Sequence, residues 1–187
     1  MTAMESTGLM VVGEPFTRAD LEAMPDDGRR HELLDGSIVV TPAPAMRHQR
    51  VVTRMILRLC DVIPQELELL PAPFDVVLAE DTVLQPDLLV APRDAFTDRD
   101  LPVAPLLAVE ILSPSTRLID LNLKKARYEL AGCPHYWVVD PQAPSLTAWA
   151  LRDGAYVEVA SVSGDESYAA SEPFAVQVTP SALVADP

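Results

Sequence analysis

Two acids and a pair of lysines carry the chemistry this sequence could perform. Asp87 follows a proline and opens the apolar run Leu88–Val90. Glu110 sits inside a second run, Leu106 to Leu112, which is otherwise almost wholly apolar. An ionised carboxylate in a buried strand is expensive unless it is paired or bound to a metal. If the two strands are neighbours, Asp87 and Glu110 meet at one point. With the backbone carbonyl of Ile111 they form an oxygen-only shell. Such a shell suits Mg²⁺, with Mn²⁺ as a substitute, because Mg²⁺ keeps several waters and binds through one or two carboxylates. The ion would acidify a water and shield a scissile phosphate. Lys124 or Lys125, on the following helix, could stabilise the charge that develops. The plain alternatives are a turn aspartate in Pro86-Asp87 and a structural acid at Glu110 paired with Arg117 or a lysine. Spacing does not choose between the lysines, which both lie off the expected core face.

These residues need elements to position them. The pattern from Leu84 to Pro141 reads strand, loop, strand, helix, strand. The helix is expected from about Arg117 to Ala131, with Gly132 ending it and Pro134 beyond. Ile119, Leu123, Ala126 and Leu130 are its expected core face. His135 to Val139 is the next strand. Upstream, Arg30–Leu34 and Ser37–Thr41 flank Asp35-Gly36, a two-residue hairpin signal. Thr17 with Asp20 forms a capping pattern for a short helix, Arg18 to Met24. Ala45 to Ile63 reads as a long amphipathic helix with Val51, Met55, Leu59 and Val62 inward. Its arginines, Arg47, Arg50, Arg54 and Arg58, share another side, either as a solvated face or as a track for a phosphate backbone. Strands are expected at Leu67–Leu70 and Phe74–Leu78. A second hairpin, Leu146–Leu151 with Tyr156–Ala160, turns at Asp153-Gly154, and a last strand spans Phe174–Val178.

At 187 residues the chain forms one domain, residues 16–187, behind a flexible tail at 1–15. Apolar residues at 49% exclude a disordered chain. No apolar run approaches a membrane span and no export signal is evident, so the expected location is the cytoplasm. Cys60 and Cys133 have no metal-binding spacing and are expected to stay reduced. The net charge of −14 works against bulk attraction to nucleic acid, so any such role must rest on a local basic patch.

The motifs together resemble the Uma-type restriction endonuclease family of the PD-(D/E)XK nuclease superfamily. The matching pieces begin with His31-Glu32-Leu33-Leu34-Asp35-Gly36, His48 and Gln85-Pro86-Asp87. They continue with Val109-Glu110-Ile111-Leu112-Ser113-Pro114-Ser115-Thr116, with Asp120, Lys124 and Tyr128 at steps of four, and end with Gly132 and Tyr136-Trp137-Val138-Val139-Asp140-Pro141. The resemblance implies an α/β (α+β) fold: a restriction-endonuclease-like mixed β-sheet core flanked by helices, with added hairpins. It implies a Mg²⁺-dependent endonuclease acting on DNA. Asp87 and Glu110 take the places of the superfamily's two acids. The superfamily lysine normally follows the second acid by two positions, where this chain has Leu112. The Asp120-Lys124-Tyr128 spacing instead picks Lys124. Glu32 resembles the extra acid that some members bring from an N-terminal element.

His48, Arg47, Arg50 and Tyr128 are the expected substrate contacts. His48 could equally sit in an exposed first turn, and Tyr128 and Asp120 either orient Lys124 or face solvent. A homodimer is expected, because cutting both strands of a duplex calls for two sites, with Leu146–Leu151 pairing or packing across a two-fold axis. The rivals are a non-catalytic interaction module on the same scaffold and a nuclease acting on RNA.

Overall fold

The structure is a computed structural model that describes residues 9–10 and 14–185. In chain order the elements are β1 (Leu9–Met10), α1 (Arg18–Glu22), β2 (Arg30–Leu34), β3 (Ser37–Thr41) and α2 (Met46–Cys60). Then come β4 (Leu67–Pro71), β5 (Asp75–Ala79), β6 (Thr82–Leu84), β7 (Leu88–Pro92), β8 (Asp100–Leu101) and β9 (Leu107–Ile111). A π-helical turn, Ile119–Lys124, leads directly into α3 (Lys125–Leu130). β10 (His135–Asp140), β11 (Ser145–Arg152), β12 (Ala155–Ser163), β13 (Tyr168–Ala170), β14 (Val176–Val178) and α4 (Pro180–Val184) complete the chain. Most of the tail expected at 1–15 lies outside the described residues. Within that range, Leu9–Met10 pairs antiparallel with β3.

Among the described residues the strands form two six-stranded sheets and one small pair. The first sheet runs β1-β3-β2-β6-β5-β8 and the second β12-β11-β10-β9-β7-β4. Both are mixed: β9 and β10 are parallel, while β9 and β7 are antiparallel. The expected mixed β-sheet core flanked by helices is therefore what the chain forms.

The β2–β3 hairpin turns where the sequence asks for it. Asp35 and Gly36 both have positive φ, 53° and 70°. This double left-handed geometry matches the twist of paired strands. A Cβ at Gly36 would come within 2.5 Å of the Pro15 Cβ, so the position has no room for a side chain.

The second sheet is covered on both faces. Leu107, Val109 and Ile111 of β9 pack with Val51, Met55 and Leu59 of α2. The alternate residues Ala108 and Leu112 pack with Tyr128 and Tyr136, and with Leu34, Val76 and Leu84 of the first sheet. Successive side chains on a strand leave opposite faces, so this division follows from period two. Met55 and Leu59 are fully buried, and truncating either to alanine would cost about 2–5 kcal/mol. Trp137 belongs to the α2-side core. Cys60 is exposed and Cys133 buried, and both are free thiols.

The helix after β9 departs from its expected face. Leu123 and Leu130 are 45% and 75% exposed, whereas Asp120, Lys124 and Tyr128 are buried. Leu123, Ala126 and Leu130 point outward, and only Ile119 of the expected stripe packs on the core, because the other inward positions form an ion-paired polar cluster. Val62, expected inside, lies beyond the end of α2 and is 40% exposed. The short elements β6, β8, β13 and α4 are added by the structure. Leu146–Leu151 cannot offer a free edge to a second copy, because β11 is hydrogen-bonded to β10 on one side and β12 on the other. The edge on that side of the sheet is β12, and the opposite edge is β4.

Candidate active site

The two acids of the central sheet meet through strand register. Leu88 of β7 lies opposite Val109 of β9. One step further along the same antiparallel register sets Asp87 against Glu110. Leu89 and Ala108, which share their parity, belong to the same core layer, so both carboxylates leave the same face. Asp87 Oδ2 accepts the Ile111 N–H at 2.8 Å and meets His48 Nε2 at 3.1 Å. Its other oxygen, Oδ1, lies 3.3 Å from Arg30 Nη1.

Glu32 arrives from the first sheet. It shares the parity of Leu34, which faces the layer between the sheets. Glu32 Oε1 accepts the Gln85 N–H at 2.7 Å and lies 3.3 Å from Arg30 Nη2. Lys124 closes the cluster from the π-helical turn. Its Nζ stands 2.8 Å from Glu32 Oε1, 3.1 Å from Glu110 Oε1 and 3.7 Å from Asp120 Oδ1. A π-helical turn is an uncommon insertion that recurs at functional sites. Here it holds Asp120 and Lys124, one turn apart, on the buried side.

These groups line a cleft of about 410 Å³. Glu32, Asp87, Glu110 and Lys124 form its floor, joined by Arg30, His48 and Asp120, and Pro42, Pro44, Pro73 and Pro114 stand around it. Burial makes the charges interact strongly. It raises the pKa of Glu32, but the Lys124 ammonium and the Arg30 guanidinium outweigh it and hold the carboxyl below its ordinary value. Asp87 is also held low: the His48 hydrogen bond, Arg30 and the Ile111 N–H together outweigh its burial. Glu110 goes the other way. Burial, with Asp120 and Asp87 nearby, pushes it well up despite Lys124. Burial also pushes Asp120 up, to about 6. Lys124 is raised, because Glu110 and Glu32 outweigh its desolvation.

Of the expected substrate contacts, His48 lines the cleft. Arg47 is exposed and lies outside the lining. Arg50 also lies outside it and reaches the carbonyls of Val184 and Ala185 at 3.4 and 3.5 Å. Arg54 donates to Ala182 and Ala185 at 3.2 and 2.7 Å, so this pair of arginines fastens the C-terminal helix. Tyr128 is fully buried behind the cleft, its ring tilted 32° against that of Tyr136 at 5.4 Å between centroids. It is absent from the cleft lining and offers no surface to a substrate there. Lys125 points elsewhere, with its Nζ 4.8 Å from the Trp149 ring centre. Arg30 was not among the expected site residues. It leaves β2 on the same face as Glu32.

The donor chemistry fits a hard divalent ion. Asp87 and Glu110 supply carboxylate oxygens from neighbouring strands. Among the described residues no trio of His, Cys, Asp or Glu forms a metal-binding cluster. The remaining positions would fall to water and backbone oxygen, which is how Mg²⁺ is usually held. Ile111 shows its N–H at the site, donated to Asp87, and its side chain packs on the opposite face.

Comparison with known proteins bears on the fold and the family. A crystal structure described as "a putative nuclease belonging to DUF820", from Anabaena variabilis ATCC 29413, superposes with a TM-score of 0.65 at 18% identity. The match covers 81% of this chain and 86% of that one, and at this identity it speaks to the fold. No curated protein matches the chain. Residues 18–183 match the family described as "Uma2: Putative restriction endonuclease". That match spans nearly the whole domain, and the chain belongs to the Uma2 family.

Proposed function

We propose that the chain is a Mg²⁺-dependent endonuclease that hydrolyses phosphodiester bonds of DNA. One observation carries this reading. Glu32 of β2, Asp87 just before β7, Glu110 of β9 and Lys124 of the π-helical turn come from four separate stretches of chain and converge in one cleft. Asp87 and Glu110 would hold the ion, and Mn²⁺ would serve in its place. When bound, it supplies an acidified water and charge compensation for the phosphate.

The chain's own groups would do the rest. The Ile111 N–H and His48 fix the Asp87 carboxylate, so its orientation is set before substrate arrives. Lys124 sits beside Glu110 at the cleft floor and can hold the attacking water or a phosphoryl oxygen by hydrogen bonding. Glu32, anchored on the Gln85 N–H, keeps the Lys124 ammonium charged and in place. In a buried setting such fixed charges act more strongly than in water.

The acidic surface favours a second reading. With a net charge of −14, and with Arg30 and Lys124 already paired to carboxylates, long-range attraction of a duplex is weak. This suits a non-catalytic module, or a nuclease of RNA. We propose a homodimer as the working form, with the edge strand β12, which exposes Val157 and Val159, as its contact. Conversion of supercoiled plasmid to open circles, with and without Mg²⁺, separates the enzyme from the module.

A further inference from the structure

The structure assigns a second cationic role in the cleft, to Arg30: it occupies the cation-facing oxygen of Asp87 until a divalent ion binds, and then takes the scissile phosphate. This inference rests on the nuclease reading of the same site.

Asp87 divides its two oxygens. Oδ2 is committed to the protein through the Ile111 N–H at 2.8 Å and His48 at 3.1 Å. Oδ1 meets Arg30 at 3.3 Å. A divalent ion drawn to Asp87 and Glu110 therefore competes with Arg30 for Oδ1, while Oδ2 keeps the carboxylate in place.

Arg30 is held loosely for a buried guanidinium. Charge-assisted N–H···O bonds are usually about 2.7–2.9 Å, and arginine commonly grips a carboxylate with two parallel bonds. Here it makes one 3.3 Å contact to each of two different acids, Asp87 and Glu32. Its Nε is buried without a hydrogen-bond partner. The side chain keeps 20% exposure and lines the cleft. A planar fork with unused donors, facing a cleft built for a phosphodiester, matches the tetrahedral oxyanion of phosphate. Glu32 remains as its anchor when Asp87 lets go, so the guanidinium pivots rather than leaving.

The charge argument fixes the signs. Removing a positive group beside Asp87 makes the cleft more attractive to a divalent cation and less attractive to a phosphodiester. A residue that only braces the fold would weaken both.

The test uses the full chain and two probes, Mn²⁺ and the dinucleotide thymidylyl-thymidine, by titration calorimetry. Arg30→Gln should bind Mn²⁺ about tenfold more tightly than the native chain, and once loaded should bind the dinucleotide about tenfold more weakly. Arg30→Lys keeps the charge and loses the fork. It should leave Mn²⁺ affinity within about twofold and still weaken the dinucleotide about fivefold. This variant decides the matter if Arg30→Gln does not fold. Mn²⁺ affinity that falls in Arg30→Gln, or dinucleotide affinity that is unchanged in both variants, overturns the inference. So does a native chain that binds neither probe, and that result removes the nuclease reading with it. If the variants behave as stated but the native chain cleaves nothing, Arg30 stands as the phosphate ligand and the nuclease reading alone fails.

Discussion

The Lys124 ammonium lies 2.8 Å from a carboxylate oxygen of Glu32, although the lysine rides the turn after β9 and the acid rides the N-terminal hairpin. The pair ties the two sheets together at the floor of the cleft. It also explains why the helix turns its polar side inward. Glu32, Glu110 and Asp120 need a cation, and Lys124 supplies it from within.

This pairing makes Lys124 structural as well as functional. Replacing it with methionine leaves Glu32 and Glu110 buried with less compensation. Breaking such a pair from one side costs about 3–5 kcal/mol. Lys124→Met should therefore lower stability in urea by that order and abolish cleavage. Lys125→Ala loses a cation–π contact with Trp149, worth about 0.5–1 kcal/mol at an exposed site, and should cleave normally. Equal losses in the two variants would place the catalytic cation elsewhere.

The frame of the site was legible in the sequence for physical reasons. Asp35-Gly36 dictates a tight hairpin, and that hairpin carries Glu32. An apolar strand interrupted by Glu110, preceded by a strand opening at Asp87, announces two acids near one point. The resemblance singled out Lys124. What the sequence hid was the burial of the helix. Reading Ile119, Leu123, Ala126 and Leu130 as the core face assumes that apolar residues point inward. That rule fails where buried charges pair, as Lys124 does with Glu32 and Glu110, and here Asp120 and Lys124 are buried while Leu130 is 75% exposed. Arg30 was hidden for a related reason. Its partner Asp87 comes from a distant strand, and no local pattern reports the contact. The arginines of α2 misled in the opposite sense, because Arg50 and Arg54 face a C-terminal helix that has almost no sequence signature.

Asp120 gives a pH-dependent prediction. Its pKa rises on folding, from 3.8 to about 6. Folding therefore favours the protonated form, so this contribution is fully present below pH 3.8 and is lost as pH rises through 6. Above that range the ionised carboxylate works against the fold by up to about 3 kcal/mol. Asp120→Asn should be more stable than the native chain by about 1–3 kcal/mol at pH 8 and should gain nothing at pH 3.5. Urea midpoints at the two pH values check this, and a gain of the same size at both would refute it.

Metal binding should be visible without turnover. Mg²⁺ or Mn²⁺ at a hundredfold excess over its dissociation constant stabilises the folded state by about 2.7 kcal/mol. For a chain of this size the melting temperature should rise by about 5–10 °C. Asp87→Asn should lose that rise. An unchanged rise in this variant would locate the ion on another part of the acidic surface.

The central claim is that Asp87 and Glu110 make this cleft a metal-dependent nuclease site. The most direct measurement is plasmid cleavage by the purified native chain, by Asp87→Ala and by Glu110→Gln, each shown to be folded, with Mg²⁺, with Mn²⁺ and with chelator. The account predicts nicking or linearisation by the native chain only when the ion is present, and a loss of at least about a hundredfold in each variant. Cleavage that persists in chelator, or that survives in both folded variants, would contradict it.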